Sequence, residues 1–221
     1  MTQNTMPKPQ KKFLPVPYAK PADLQLAGVA CTRGMRRLFE GVSFRLKAGD
    51  GLALYGPNGS GKTSLLRQIA GFLPLAAGTL SIADKAPYGV HFMGHADALK
   101  NALSVGETLA FEAALWGAPK AKDPPLDTDR WLTHLGLEGR AWQAVGDLSA
   151  GQRRRLALAK LCLAPRPIWL LDEPMTALDE AGRHLVNALA GAHLAAGGVL
   201  VASSHVPLDF TTDALTLGAA A

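Results

Sequence analysis

Between residues 23 and 55 apolar and polar positions alternate, with a turn signal at Lys47–Asp50. The pattern of "GVSFRLKAGDGLALYG" predicts a strand, a turn and a second strand that ends at Tyr55. The period then changes. "SLLRQIAG" places its apolar residues at helical spacing and closes on Gly71. "GTLSI" reads as another short strand. Residues 96–164 are mostly helical in pattern, interrupted by "GAPKAKDPPLD". "RPIWLLDEP" is a continuous apolar run ended by acids and proline, as expected of a strand covered on both faces in a parallel sheet. From Asp179 to about Ala195 the pattern is helical again, and "GVLVASSH" predicts one more buried strand. No internal repeat interrupts this order. Strand–loop–helix units carrying a helical insertion predict an α/β fold with its ligand at the carboxyl ends of the strands.

Composition changes this picture little. The 221 residues suit one α/β domain, or a domain with a subdomain, and can bury a core without staples. The formal net charge of +5 suggests an anionic partner until its source is located. Lys8, Lys11, Lys12 and Lys20 lie in the first 22 residues, which carry no acid, so the body is near neutral. That proline-rich lead, residues 1–22, has no apolar core of a signal peptide and is expected to be a disordered basic tail. Residues 211–221 are expected to be a C-terminal tail. Two cysteines, Cys31 and Cys162, fit a reducing compartment better than a disulfide framework. The most apolar window, 185–205, holds Asn187, His193 and the adjacent Gly197 and Gly198. It predicts a helix, a turn and a strand, not a membrane span.

Gly56-Pro57-Asn58-Gly59-Ser60-Gly61-Lys62-Thr63 fits G-x-x-x-x-G-K-[ST], between a predicted strand and a predicted helix. Glycines at those positions let backbone N–H groups wrap a phosphate chain, and the helix adds its positive end. Lys62 would bridge the outer phosphates, and Thr63 would bind Mg²⁺. Leu171-Asp172-Glu173-Pro174 ends the apolar strand. Asp172 would hold Mg²⁺ through water, and Glu173 would act as general base on the attacking water. Leu148-Ser149-Ala150-Gly151-Gln152 precedes "RRRLALAKLCLA", read as a helix with a basic face. Ser149 with the N–H groups of Ala150 and Gly151 would make an anion site.

From about residue 23 to 210 these motifs resemble the nucleotide-binding domain of ABC transporters. The resemblance implies an α/β P-loop domain with a mixed-to-parallel central sheet, an antiparallel β edge and a helical subdomain at about 96–164. It implies ATP with Mg²⁺, and a homodimer in which Ser149, Ala150, Gly151 and Gln152 of one copy close over ATP held by the other. Asp179 then matches the D-loop acid, and His205 the switch histidine that joins Lys62 and Glu173 in catalysis. The position of the usual Q-loop glutamine falls on His95. The aromatic that often stacks on adenine falls near Arg33, whose guanidinium plane could stack instead.

"GHADALKNALSVGETL", "CTRGMRRLF", "LSAGQRRRLALAKL" and "SSHVPLDF" are further similar to segments of the haem exporter ATP-binding subunits of cytochrome c maturation, the CcmA family. That resemblance implies a peripheral ATPase on the cytoplasmic face of a bacterial inner membrane. Its partners would be a CcmB-like membrane subunit, with a CcmC-like protein and the haem chaperone CcmE indirectly. No nucleic-acid partner is expected. Two other readings stay open at this level: the ATPase subunit of an exporter for another substrate, and a soluble ABC ATPase acting on nucleic acid or ribosomes.

Overall fold

A computed structural model describes Tyr18 and residues 22–82, 89–116, 127–163 and 166–218. The remainder of the basic lead, the 117–126 interruption and the last three residues lie outside the described part. The chain forms two compact units. Among the described residues, one comprises Tyr18 and 22–82, 89–95, 166–174 and 190–218; the other comprises 96–116, 127–163 and 175–189.

The first unit holds both sheets. β1 (Asp23–Arg33), β2 (Arg36–Lys47) and β4 (Ala77–Ile82) form an antiparallel sheet of order β2-β1-β4. β1 is irregular around Gly28, which sits at φ 62° where the pairing register shifts. The second sheet is parallel, in the order β5-β6-β7-β3-β8. Its strands are β3 (Gly51–Tyr55), β5 (Val90–Met93), β6 (Ile168–Asp172), β7 (Val199–Ser203) and β8 (Asp213–Thr216). The expected central parallel sheet and antiparallel β part are both present, the antiparallel strands as a sheet of their own. The C-terminal stretch differs from expectation: residues 213–216 pair with β3 as an edge strand. Their side chains are mostly exposed, so no apolar pattern announces the strand.

Every residue of β6 and β7 is buried, which explains their unbroken apolar runs. α1 (Lys62–Ile69) turns Leu65, Leu66 and Ile69 into a cluster with Leu24 and Leu26 of β1, Ile168 and Leu170 of β6, and Val199 and Val201 of β7. Each such side chain contributes about 1.5–3 kcal/mol of burial. That packing fixes the helix whose N-terminus follows the glycine-rich loop. Gln68, buried on α1, donates to the carbonyls of Ala30 at 3.1 Å and Pro74 at 3.0 Å.

The second unit is helical. α2 (Val105–Trp116), α3 (Thr128–Leu135) and α4 (Ala150–Leu163) pack on one another, and α5 (Glu180–Ala195) begins in this unit. Val105, Leu109 and Ala113 recur at four-residue spacing and are buried. Capping side chains start each helix. Ser104 and Glu107 exchange hydrogen bonds with each other's backbone N–H at α2, and Asp127 accepts from Arg130 N–H at α3. The bonds from Ser104 hold the Glu107 carboxyl below its usual range. None of the described helices is long and apolar enough to cross a membrane.

Candidate active site

The glycine-rich loop follows β3. Gly56 sits at φ 139° and Gly61 at φ 104°, conformations that L side chains rarely adopt. Space excludes side chains as well. A Cβ on Gly56 would stand 2.3 Å from the Leu217 carbonyl oxygen, and one on Gly61 would stand 2.7 Å from the Phe39 ring. Gly61 caps α1 without any side-chain hydrogen bond, and no acid occupies the first turn. Its leading N–H groups and dipole therefore face the loop with no acid of the helix's own first turn against them. Ser60 Oγ is buried there with no hydrogen-bond partner among the described residues, as an oxygen meant for a phosphate would be. Lys62, itself buried, donates from Nζ to the carbonyls of Gly56 at 2.7 Å and Pro57 at 3.3 Å. The loop and its lysine fit a polyphosphate.

Parallel pairing brings the acids to this loop. β6 ends on Asp172, which lies opposite Ser203 of β7. The Asp172 carboxylate accepts from Thr63 Oγ1 at 2.8 Å and from Ser203 Oγ at 2.6 Å. Thr63 and Asp172, separated by 109 residues in the chain, thus offer adjacent hard oxygens. Mg²⁺ takes such a site, with water and phosphate completing its shell. Among the described residues there is no cluster of three His, Cys, Asp or Glu side chains that could hold a metal.

Glu173 follows at φ 50°, a left-handed conformation that costs a non-glycine residue on the order of 1 kcal/mol or more. Its N–H donates to Ser203 Oγ at 3.0 Å, which helps to hold the turn. The turn places Glu173 Oε1 3.3 Å from His205 Nε2. Glu173 is mostly buried and His205 about half exposed, so the pair opens to solvent from the imidazole side. Lys62, Thr63, Asp172, Glu173 and His205 are thus gathered in one compact unit. Ser203 completes the arrangement, and sequence reasoning missed it. Its signal was available: a hydroxyl two residues before His205, on the strand next to the acids.

The signature belongs to the helical unit. Ser149 and Gln152 form a reciprocal cap on α4: Gln152 N–H donates to Ser149 Oγ at 3.2 Å, and Ser149 N–H donates to Gln152 Oε1 at 2.9 Å. Ala150 is exposed at the helix start. Gly151 is tightly enclosed, since a Cβ there would stand 2.8 Å from the Ala177 carbonyl oxygen. Ala177 is at φ 63°, and Asp179 accepts from Gly182 N–H at 2.9 Å to cap α5. The three arginines after the signature are not a basic face. Arg154 is buried and Arg153 and Arg155 are half-buried, each bonded within the unit. His95 is exposed at the bend after β5. Arg33 is exposed at the end of β1, opposite Arg36 across the hairpin. The structure does not bring Arg33 into a hydrogen bond with the loop.

The ABC transporter family model matches residues 39–176, more than half of the chain. That defines the class: an ABC-type ATPase, with ATP as its nucleotide. Solved structures agree on the fold. An ABC transporter ATP-binding protein from Pyrococcus furiosus superposes with a TM-score of 0.76 at 24% identity, covering 88% of this chain and 97% of that one. Among curated proteins, the "Cytochrome c biogenesis ATP-binding export protein CcmA" of Rhodopseudomonas palustris (strain HaA2) is 46% identical over 199 residues, 88% of this chain and 97% of its own length. The protein of the same description from Bradyrhizobium diazoefficiens is 45% identical over 205 residues, covering 90% of this chain and all of its own. The chain belongs to this CcmA family of ABC transporter ATP-binding proteins.

Proposed function

We propose that this chain is the ATP-hydrolysing subunit of a membrane ABC complex that serves c-type cytochrome biogenesis, in haem export or in release of the haem-loaded chaperone. The Glu173–His205 pair, on strand ends beside the phosphate loop, is the observation that carries the catalytic half of this reading. The relatives' descriptions carry the biological half.

In this reading the amides of Gly59, Ser60 and Gly61 and the Lys62 ammonium hold the β- and γ-phosphates. Thr63 and Asp172 would hold Mg²⁺, which neutralises phosphate charge when bound. Ser203 keeps the Asp172 carboxylate aimed at that position. Glu173 accepts a proton from the attacking water as its oxygen bonds to the γ-phosphorus and the bond to the ADP oxygen breaks. His205, whose Nε2 stands 3.3 Å from the Glu173 carboxylate, steadies it and reaches the departing phosphate. Ser149, Ala150, Gly151 and Gln152 of a second copy close the site, with Asp179 at the same interface. Arg33 stacks on adenine, and His95 stands where the membrane partner is sensed. The partner is a membrane-embedded ABC subunit, CcmB-like, with CcmC-like and CcmE-like proteins acting further along. The chain then sits on the cytoplasmic face of the membrane.

A soluble ATPase acting on nucleic acid is disfavoured, because the arginine run after the signature is not solvent-facing. The test is a haem stain for c-type cytochromes in a strain lacking the gene, complemented with wild type or with Glu173→Gln. Loss of every c-type band, with b-type haem retained and only wild type restoring the bands, supports the proposal. Survival of the c-type bands without a second gene copy refutes the cytochrome assignment.

A further inference from the structure

Arg153, Arg154 and Arg155 follow the signature directly, yet each has its own partner. Arg153 donates to the Leu148 carbonyl at 2.8 Å. Arg155 donates to the Gly136 carbonyl at 3.3 Å and lies 3.7 Å from the Asp179 carboxylate. Arg154 is the buried one. Its side chain is 4% exposed, and its Nη1 stands 3.1 Å from Oδ1 of Asp97, itself 21% exposed. A guanidinium out of water needs its counter-charge, so neither partner can leave this contact freely. Lys160, further along α4, lies within electrostatic reach of Asp97, Arg154 and Glu112 of α2. Asp97 is therefore an acid facing two cations, Arg154 and Lys160.

The place of this pair in the chain gives it a consequence. Asp97 is the second residue after His95, where the chain passes from the sheet-bearing unit into the helical unit. Two residues of backbone span at most about 7 Å. Arg154 is likewise the second residue after Gln152, on the first turns of α4. The segment after His95 and the helix that presents Ser149, Ala150 and Gly151 are thus joined by the Arg154–Asp97 ion pair, whose guanidinium is buried.

We infer that Arg154 is a positioning residue, whose ion pair with Asp97 makes the signature follow the segment after His95 and so sets how readily ATP closes two copies together. The inference rests on the reading of the signature as acting across a dimer. It separates two properties: capture of ATP belongs to the unit that holds the phosphate loop, whereas closure depends on where α4 points.

The test uses the full chain carrying Glu173→Gln, so that bound ATP persists. Binding of a fluorescent ATP analogue reports capture, light scattering against ATP concentration reports closure, and thermal melting reports folding. Asp97→Asn should raise the ATP concentration for half-maximal dimerisation by about 10-fold while leaving capture within about twofold. Asp97→Glu, which keeps the charge, should recover most of the closure. Should Asp97→Asn not fold, Arg154→Gln carries the same comparison, because it removes the other charge of the pair. The inference is overturned if the variant closes at the parent's ATP concentration. It is equally overturned if capture and closure fall together, as a general structural loss would make them. A parent protein that captures ATP and never dimerises removes the signature reading and this inference with it.

Discussion

His193 predicts an acid-labile fold, and the size of the effect follows from its surroundings. It is fully buried near the C-terminal end of α5, with its ring stacked on Trp169 of β6 at 4.0 Å and 12°. Nε2 stands 3.0 Å from the Val199 carbonyl, so that nitrogen carries the hydrogen. Nδ1 then accepts from the Tyr18 hydroxyl at 2.9 Å. A neutral imidazole satisfies both contacts. A charged one would have to be desolvated and would turn a second N–H toward the Tyr18 oxygen. Burial accordingly pushes the pKa from 6.5 to about 4, while the Val199 hydrogen bond opposes the shift. The unfolded chain binds the proton first as pH falls. Stability from this group is therefore complete above about pH 6.5 and drains away as pH drops toward 4. A fall from 6.5 to about 4 corresponds to about 3 kcal/mol. His193→Phe keeps a ring against Trp169 and removes the hydrogen bonds to the Tyr18 hydroxyl and the Val199 carbonyl, costing about 2 kcal/mol at pH 8. Urea unfolding of both proteins between pH 8 and pH 4 isolates the histidine, since every other titrating group is shared. The stability gap should close, and the order reverse, as pH approaches 4. A gap that stays constant across this range would show that His193 is not held neutral by the fold, and the reasoning would fail.

Other expectations concern the site. Gly61→Ala forces a Cβ into the Phe39 ring at a φ of 104°, so isothermal titration should show ATP binding weakened by tenfold or more, on the order of 1.4 kcal/mol. Ser203→Ala removes the hydroxyl that orients Asp172 and accepts from Glu173 N–H. ATP turnover should fall about 10-fold or more, with Mg²⁺ dependence shifted to higher concentration; unchanged Mg²⁺ dependence would count against the metal placement. His95→Gln should keep ATP binding and alter stimulation of turnover by the membrane partner. Equal stimulation and equal cytochrome yield would mean that the histidine is merely tolerated there.

Much of this was legible in the sequence for physical reasons. Strands β6 and β7 are buried on both faces, so their apolar runs had no competing reading. The phosphate loop was legible because only glycine fits at 56 and 61. What escaped depended on distant partners. Strand β8 is exposed and short, and pairing with β3 creates it. Tyr18 lies in a segment read as a solvated lead, yet its backbone N–H reaches the Ala196 carbonyl at 3.2 Å and its hydroxyl reaches His193. The arginines at 153–155 read as a basic face because helical period cannot reveal that Asp97, 57 positions away, neutralises the central one. Ser203 hid for the same reason: its role exists only once β6 and β7 lie side by side.

The most direct test of the central claim is steady-state ATP turnover by Glu173→Gln beside wild type, with ATP affinity measured on the same preparations. The account predicts a loss of about 100-fold or more in turnover with ATP affinity retained, because Glu173 acts on water and the loop binds the phosphates. Turnover close to wild type in the variant would contradict it, and the catalytic base would have to be sought elsewhere.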